Sequence, residues 1–194
     1  MSPEGIFFLT SFVGAGGGSP GSASATFGLS ANGGVGGSQA AHLTLTRGPA
    51  TDFVFAGIAQ GLGPVANPTN FTASVDVLAP AGFPLSLRIE SDFMGVNDGF
   101  QLNFVGTGQY QTISGVVGTD LTPIPGGAFN PAVNSIIAVS TQFGGTAPVG
   151  VDQDIFVDNF SFVPTPETVP EPSALAVLLS LGAIVAVRRR KLHL

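Results

Sequence analysis

Three aspartates near the end of the chain's main body, Asp152, Asp154 and Asp158, are the residues whose type and spacing come nearest to a site. Hard cations such as Ca²⁺ collect several oxygens from carboxylates and backbone carbonyls, and loops at a sheet edge provide both. The spacing lacks the twelve-residue pattern and closing bidentate Glu of an EF-hand, and the plainer alternative is a solvated acidic loop ahead of a strand. Of the two histidines, His193 lies at the C-terminal end. His42 falls on the polar side of a strand pattern with no neighbour in sequence that makes a triad, so an ordinary exposed histidine is its simpler reading. Glycoside hydrolysis needs two carboxylates across a cleft. Glutamates are scarce (Glu4, Glu90, Glu167, Glu171), and Glu90-Ser91-Asp92 offers two acids only at a strand end. Sugar binding favours an aromatic platform beside polar groups. Here there is no Trp and one tyrosine, Tyr110, flanked by Gln109 and Gln111; the trio offers a sugar contact or a plain surface strand edge. The 16 Phe fall mostly on core-facing positions of alternating runs. Thr44 and Thr46 alone do not make the flat threonine array that ice binding would want. The expectation is a protein that is not an enzyme.

Charge narrows the partners. Ahead of Val169 the chain carries eleven acids against two bases, Arg47 and Arg88, for a net of −9. Nucleic-acid affinity rests on Lys and Arg neutralising phosphates, so DNA and RNA are excluded as partners. With no cysteine, a disulfide scaffold and a thiolate metal site are excluded as well.

The elements that must position these residues are strands. Phe71, Ala73, Val75 and Val77 alternate with Thr72, Ser74 and Asp76, and Leu85, Leu87 and Ile89 with Ser86, Arg88 and Glu90. Phe100, Leu102 and Phe104 form another apolar face, as do Ile137, Val139, Thr141 and Phe143. Each pattern reads as a strand with one buried side. Further strands are expected at Ile6–Val13, Thr26–Ser30, His42–Thr46, Phe53–Ile58, Gln111–Val116 and Ile155–Val163. Gly, Pro, Asn and Asp clusters punctuate them, and Asn97-Asp98-Gly99 predicts a tight turn. Ten short strands without a helical stripe predict an all-β fold, an antiparallel β-sandwich of jelly-roll type, over residues 1–163.

After this domain the pattern changes. A proline-rich linker, 164–172, ends in Pro170-Glu171-Pro172; an apolar segment, 173–187, is interrupted only by Ser180 and Gly182 after Ser173; Arg188, Arg189, Arg190 and Lys191 open the basic tail 188–194. As a helix, 173–187 would reach ~22 Å against a hydrocarbon core of about 30 Å, a short transmembrane span. The basic cluster places the C-terminus in the cytoplasm and the domain outside. The order Pro-Glu-Pro, short apolar helix and terminal Arg cluster resembles the PEP-CTERM sorting signal of Gram-negative bacteria, a tail also found on proteins called ice-binding. An ordinary single-pass tail anchor is the alternative. The resemblance implies that Pro170, Glu171 and Pro172 are the recognition element and that an exosortase-type enzyme releases the protein from transient residence in the inner membrane. The destination would be the cell surface or the extracellular, biofilm-type matrix. Export also needs an N-terminal signal. Ala23-Ser24-Ala25 looks like a cleavage site, yet no Lys or Arg precedes Ile6–Val13 and Glu4 stands there instead, so the leader is expected upstream of Met1.

Several stretches of the domain, Gly33–Leu45, Asn70–Val77, Gln109–Gly115 and Asp154–Phe162, resemble in their order the galactose-binding-like and carbohydrate-binding-module jelly rolls. That resemblance implies a structural Ca²⁺ held by an Asp near the last strand and an acid near the first, here Asp158 and Glu4. The expected function is that of an exported, non-catalytic structural or adhesive protein of the surface or matrix. The alternative is a carbohydrate-binding module for extracellular polysaccharide, and a more remote one is a secreted hydrolase.

Overall fold

A computed structural model describes residues 7–12, 24–46, 54–91, 98–125, 128–143 and 150–166. Alternation becomes strands at every place where the sequence shows it. The chain forms β1 (Phe7–Phe12), β2 (Ser24–Ser30), β3 (Ala40–Thr46), β4 (Val54–Pro64), β5 (Phe71–Leu78) and β6 (Pro84–Glu90). It continues with β7 (Gly99–Val105), β8 (Gln111–Val116), β9 (Thr122–Pro123), β10 (Asn134–Phe143) and β11 (Asp152–Pro164). The strands pair antiparallel into two sheets, one in the order β1-β4-β10-β6-β7-β9 and the other β2-β3-β11-β5-β8. The fold is an all-β sandwich of two antiparallel sheets. The segment 173–187 lies outside the described residues, and among those no helix is long and apolar enough to cross a membrane.

Two apolar faces meet between the sheets because each strand turns every second residue inward. Leu43 and Leu45 of β3, Val75 and Val77 of β5, and Ile155 and Val157 of β11 face Ile58 of β4, Leu87 and Ile89 of β6, and Ile137 and Val139 of β10. All of these are essentially inaccessible to solvent. Among the described phenylalanines, Phe83 is buried in this core. Phe27, Phe100, Phe104, Phe129, Phe160 and Phe162 pack against the core only partly buried. Sheets about 10 Å apart leave room for branched aliphatic side chains to interdigitate, and the larger rings close the ends.

Two local expectations change. β6 and β7 register as Glu90↔Gly99, and Ser91 N–H donates to Asp98 O at 3.2 Å, so the connection is longer than the tight turn read from Asn97-Asp98-Gly99. In β11 the register slips between Asp158 and Ser161, setting Asn159 and Phe160 against one residue of β5, Val75. This is a β-bulge.

Candidate functional site

The same alternation that buries one face of the five-stranded sheet turns a mixed row of polar and aromatic groups outward. Cross-strand register sets Ser24, Thr46 and Asp152 side by side, then Thr26, Thr44 and Asp154, then Gly28, His42, Phe156 and Leu78. Beyond them Asp158, Asp76 and Thr112 are aligned. Neighbours in a row are within side-chain reach.

His42 and Phe156 form the centre of this face. Their rings stack in parallel, with centroids 4.3 Å apart and planes 7° from coplanar. His42 Nε2 lies 2.8 Å from Asp154 Oδ1, which also accepts from Thr44 Oγ1 at 2.7 Å. The hydrogen bond from Thr44 is the main cause holding the Asp154 carboxyl below its ordinary range, with His42 adding to it and partial burial opposing it. Thr44 Oγ1 sits 3.3 Å from the same Nε2. A catalytic relay needs the imidazole to bridge hydroxyl and carboxylate through different nitrogens. Here one nitrogen faces both groups, an arrangement that orients the ring rather than activating the hydroxyl.

The second cluster surrounds the bulge. Asp76 and Asp158 stand directly opposite each other, and like charges so placed repel. Asn159, with φ of 51°, offsets this by donating its side-chain Nδ2 to Asp76 Oδ2 at 2.9 Å and its backbone N–H to Asp158 Oδ1 at 2.8 Å. Thr112 Oγ1 donates to Asp76 Oδ1 at 2.5 Å. Asp158 Oδ2 accepts from Ser38 Oγ at 2.7 Å and from Val35 N–H at 3.1 Å, tying down the loop over Gly34–Ser38. The approach is close enough that a Cβ at Gly34 would lie 2.6 Å from that oxygen, so a residue without one is required there. Tyr110 completes the cluster. Its hydroxyl donates to Gly33 O, and burial first, then the charges of Asp158 and Asp76, push its pKa up. With the hydroxyl engaged, the ring is what Tyr110 has left to offer a ligand.

Asp152, Asp154 and Asp158 thus share one face of β11 but do not converge. Asp152 takes Thr46 Oγ1 at 2.5 Å, Asp154 takes Thr44 and His42, and Asp158 holds the Gly34–Ser38 loop. Among the described residues no group of three or more His, Asp or Glu side chains is arranged to hold a metal ion. Glu4 lies outside the described residues, as do Pro170, Glu171, Pro172 and the basic cluster Arg188–Lys191. Phe156 is the residue that sequence reasoning missed on this face. Its signal was present, since Ile155 and Val157 inward place Phe156 outward.

No family model matches the chain, and no curated protein does. Solved structures share its fold. A family 11 carbohydrate-binding module from Clostridium thermocellum in complex with a β-1,3-1,4-mixed-linked tetrasaccharide is 15% identical over 84% of this chain and 93% of its own, with a TM-score of 0.52. A family 30 carbohydrate-binding module of a cellulosomal cellulase of the same organism is 13% identical over 84% of this chain and 97% of its own, with a TM-score of 0.50. A structure described in connection with the promiscuous specificity of carbohydrate-binding modules of the β-sandwich superfamily is 14% identical over 83% of this chain, with a TM-score of 0.53. The chain spans 58% of that one's length. At these identities the likeness is one of fold.

Proposed function

We propose that this protein is an exported, non-catalytic, saccharide-binding β-sandwich whose outward five-stranded face holds a polysaccharide of the cell surface or matrix. The observation that carries the reading is the parallel His42–Phe156 pair with carboxylates and hydroxyls on either side, Asp154 and Thr44 on one and Asp76, Asp158 and Thr112 on the other. Ring faces accept the C–H side of a sugar, and fixed acceptors orient its hydroxyls. The fold shared with carbohydrate-binding modules is compatible with this reading, which rests on the site because a fold alone does not decide function. A jelly-roll topology and delivery by the PEP-CTERM-like tail belong to this proposal. Catalysis is not assigned. Asp76 and Asp158, which face each other across two strands, each accept hydrogen bonds at both oxygens, which leaves neither arranged as the acid of a glycosidase.

Calorimetric or affinity-gel titration against mixed-linked β-glucan, other neutral glucans and the host's own exopolysaccharide tests the reading. Phe156→Ala is expected to weaken the binding that appears by ~10-fold or more, equivalent to about 1.4 kcal/mol, and Tyr110→Ala by less. Absence of binding across the panel, or binding unchanged by Phe156→Ala, would sink the saccharide assignment to this face. A structural or adhesive surface protein would then be the better account.

A further inference from the structure

Where β4 ends and the chain crosses to β5 in the opposite sheet, an open groove of about 510 Å³ is left, lined among others by Leu62, Pro64, Val65, Asn67, Phe71 and Phe162. Phe71 and Phe162 stack with centroids 4.5 Å apart and planes 4° from parallel. The chain leaves the sandwich beside this groove. Pro164, the last residue of β11, is the register partner of Phe71; Thr165 N–H donates to Asn70 O at 2.7 Å, and the Thr165 and Thr72 hydroxyls are 3.2 Å apart. Residues 164–172, which start at that point, read Pro-Thr-Pro-Glu-Thr-Val-Pro-Glu-Pro, four prolines in nine residues.

We propose that this groove is a docking site for the chain's own proline-rich linker, with Val169, Pro170 and Pro172 set against the phenyl pair. Proline-rich segments favour an extended, low-entropy backbone and bind aromatic-lined grooves by packing their rings on aryl faces. Reach is sufficient, because six residues beyond Pro166 extend ~19 Å at about 3.1 Å each and Thr165 is bonded to Asn70, which lines the groove. Charge is compatible: among the described residues lining the groove none is charged, so Glu167 and Glu171 meet no acid among them despite the acidic domain. A sugar is the poorer occupant, since apart from Asn67 and Asn70 the described lining is apolar, which suits proline rings better than hydroxyls. Docking would hold the Pro170-Glu171-Pro172 motif against the folded body, exposed only on release. The inference does not rest on the saccharide reading.

A glutamate-specific protease cuts after Glu167, whereas the bond following Glu171 leads into proline and resists, so cleavage of the full-length chain reports on the linker. Ala66 is exposed at the groove, and Ala66→Arg fills it without entering the core. Cleavage at Glu167 is expected to run about three- to ten-fold faster in Ala66→Arg and in Phe71→Ala than in the wild type, as befits an intramolecular contact at millimolar effective concentration. The thermal midpoint of Ala66→Arg, unchanged, excludes unfolding as the cause. Equal rates in wild type and Ala66→Arg would overturn the proposal, as would a wild-type rate matching that of a free peptide of residues 164–173. Equal rates with a gluco-oligosaccharide shifting the NMR signals of Phe71 and Phe162 would overturn it in favour of a saccharide.

Discussion

Arg88 is one of two basic residues ahead of the tail, and it pairs with an acid of its own strand. It stands on β6 two residues from Glu90, with its Nη2 2.7 Å from Glu90 Oε1 and the two side chains only 8% and 17% exposed. Burial pushes the Glu90 carboxyl above its ordinary range and Asp98 adds to this, while Arg88 opposes both. Desolvating two charges costs about what their attraction returns, but removing one partner leaves the other uncompensated. Arg88→Met is therefore expected to cost about 3–5 kcal/mol in urea unfolding, whereas Arg88→Met with Glu90→Leu returns to within ~1 kcal/mol of wild type. The sign with pH follows. A carboxyl held above its unfolded value, about 4.3, gives stability that is full below that value and is lost as pH rises through the folded one. Without Arg88 the folded value rises further, so the single variant's penalty should grow from pH 4 to pH 7; a pH-independent penalty would refute this account. At this scale the sequence was only partly legible. Arg88 and Glu90 read as the solvated side of a strand, and His42 as an ordinary exposed histidine. Neither the burial of the first pair nor the ring under the second is a property of local pattern, because both depend on what the neighbouring strand places opposite.

At the scale of elements, β11 decides which side chains reach which face. Strict alternation would turn Phe160 outward with Asp154, Phe156 and Asp158, yet the bulge at Asn159 flips the strand and sends Phe160 and Phe162 toward the core. Asn159 serves twice, by adopting a left-handed backbone and by standing between two carboxylates. The two contributions separate by substitution. Asn159→Gly keeps the backbone and loses the bond to Asp76, for about 1 kcal/mol. Asn159→Ala loses the bond and adds ~1–2 kcal/mol of left-handed strain, so it should be the less stable of the two. Equal thermal midpoints would mean that the backbone is relaxed by other residues. The strands read from alternation all form, and where side chains are described one side of each packs on the same core. β9 was not legible, since Thr122 and Pro123 are strand only through pairing with Gln101 and Phe100. The extension of β4 past Ile58 was hidden likewise: pairing with Asn134–Ile136 of β10 carries the strand through Gly61, Gly63 and Pro64, residues that weaken a strand pattern.

For the whole molecule, the sandwich and the segment after it have opposite character. The domain carries nearly all of the acids, and the end of the chain gathers an apolar run and four of the six bases. In the proposed reading, the apolar segment of fifteen residues followed by Arg-Arg-Arg-Lys would sit in a bilayer with its basic end in the cytoplasm. The saccharide-binding face proposed above would meet its polymer on the other side of that membrane, which ties the reading of the face to the fate of the tail. In the native host, the mature protein is expected at the surface or in the medium without the residues after about Pro172. Intact mass of the secreted form checks this, and Glu171→Ala should retain the uncut chain in the inner membrane. A full-length wild-type protein found only in the inner membrane would remove the sorting route and leave the sandwich anchored on the periplasmic side. Its ligand would then have to be a polymer that reaches that compartment, and the titrations against surface polysaccharide would be expected to fail with it.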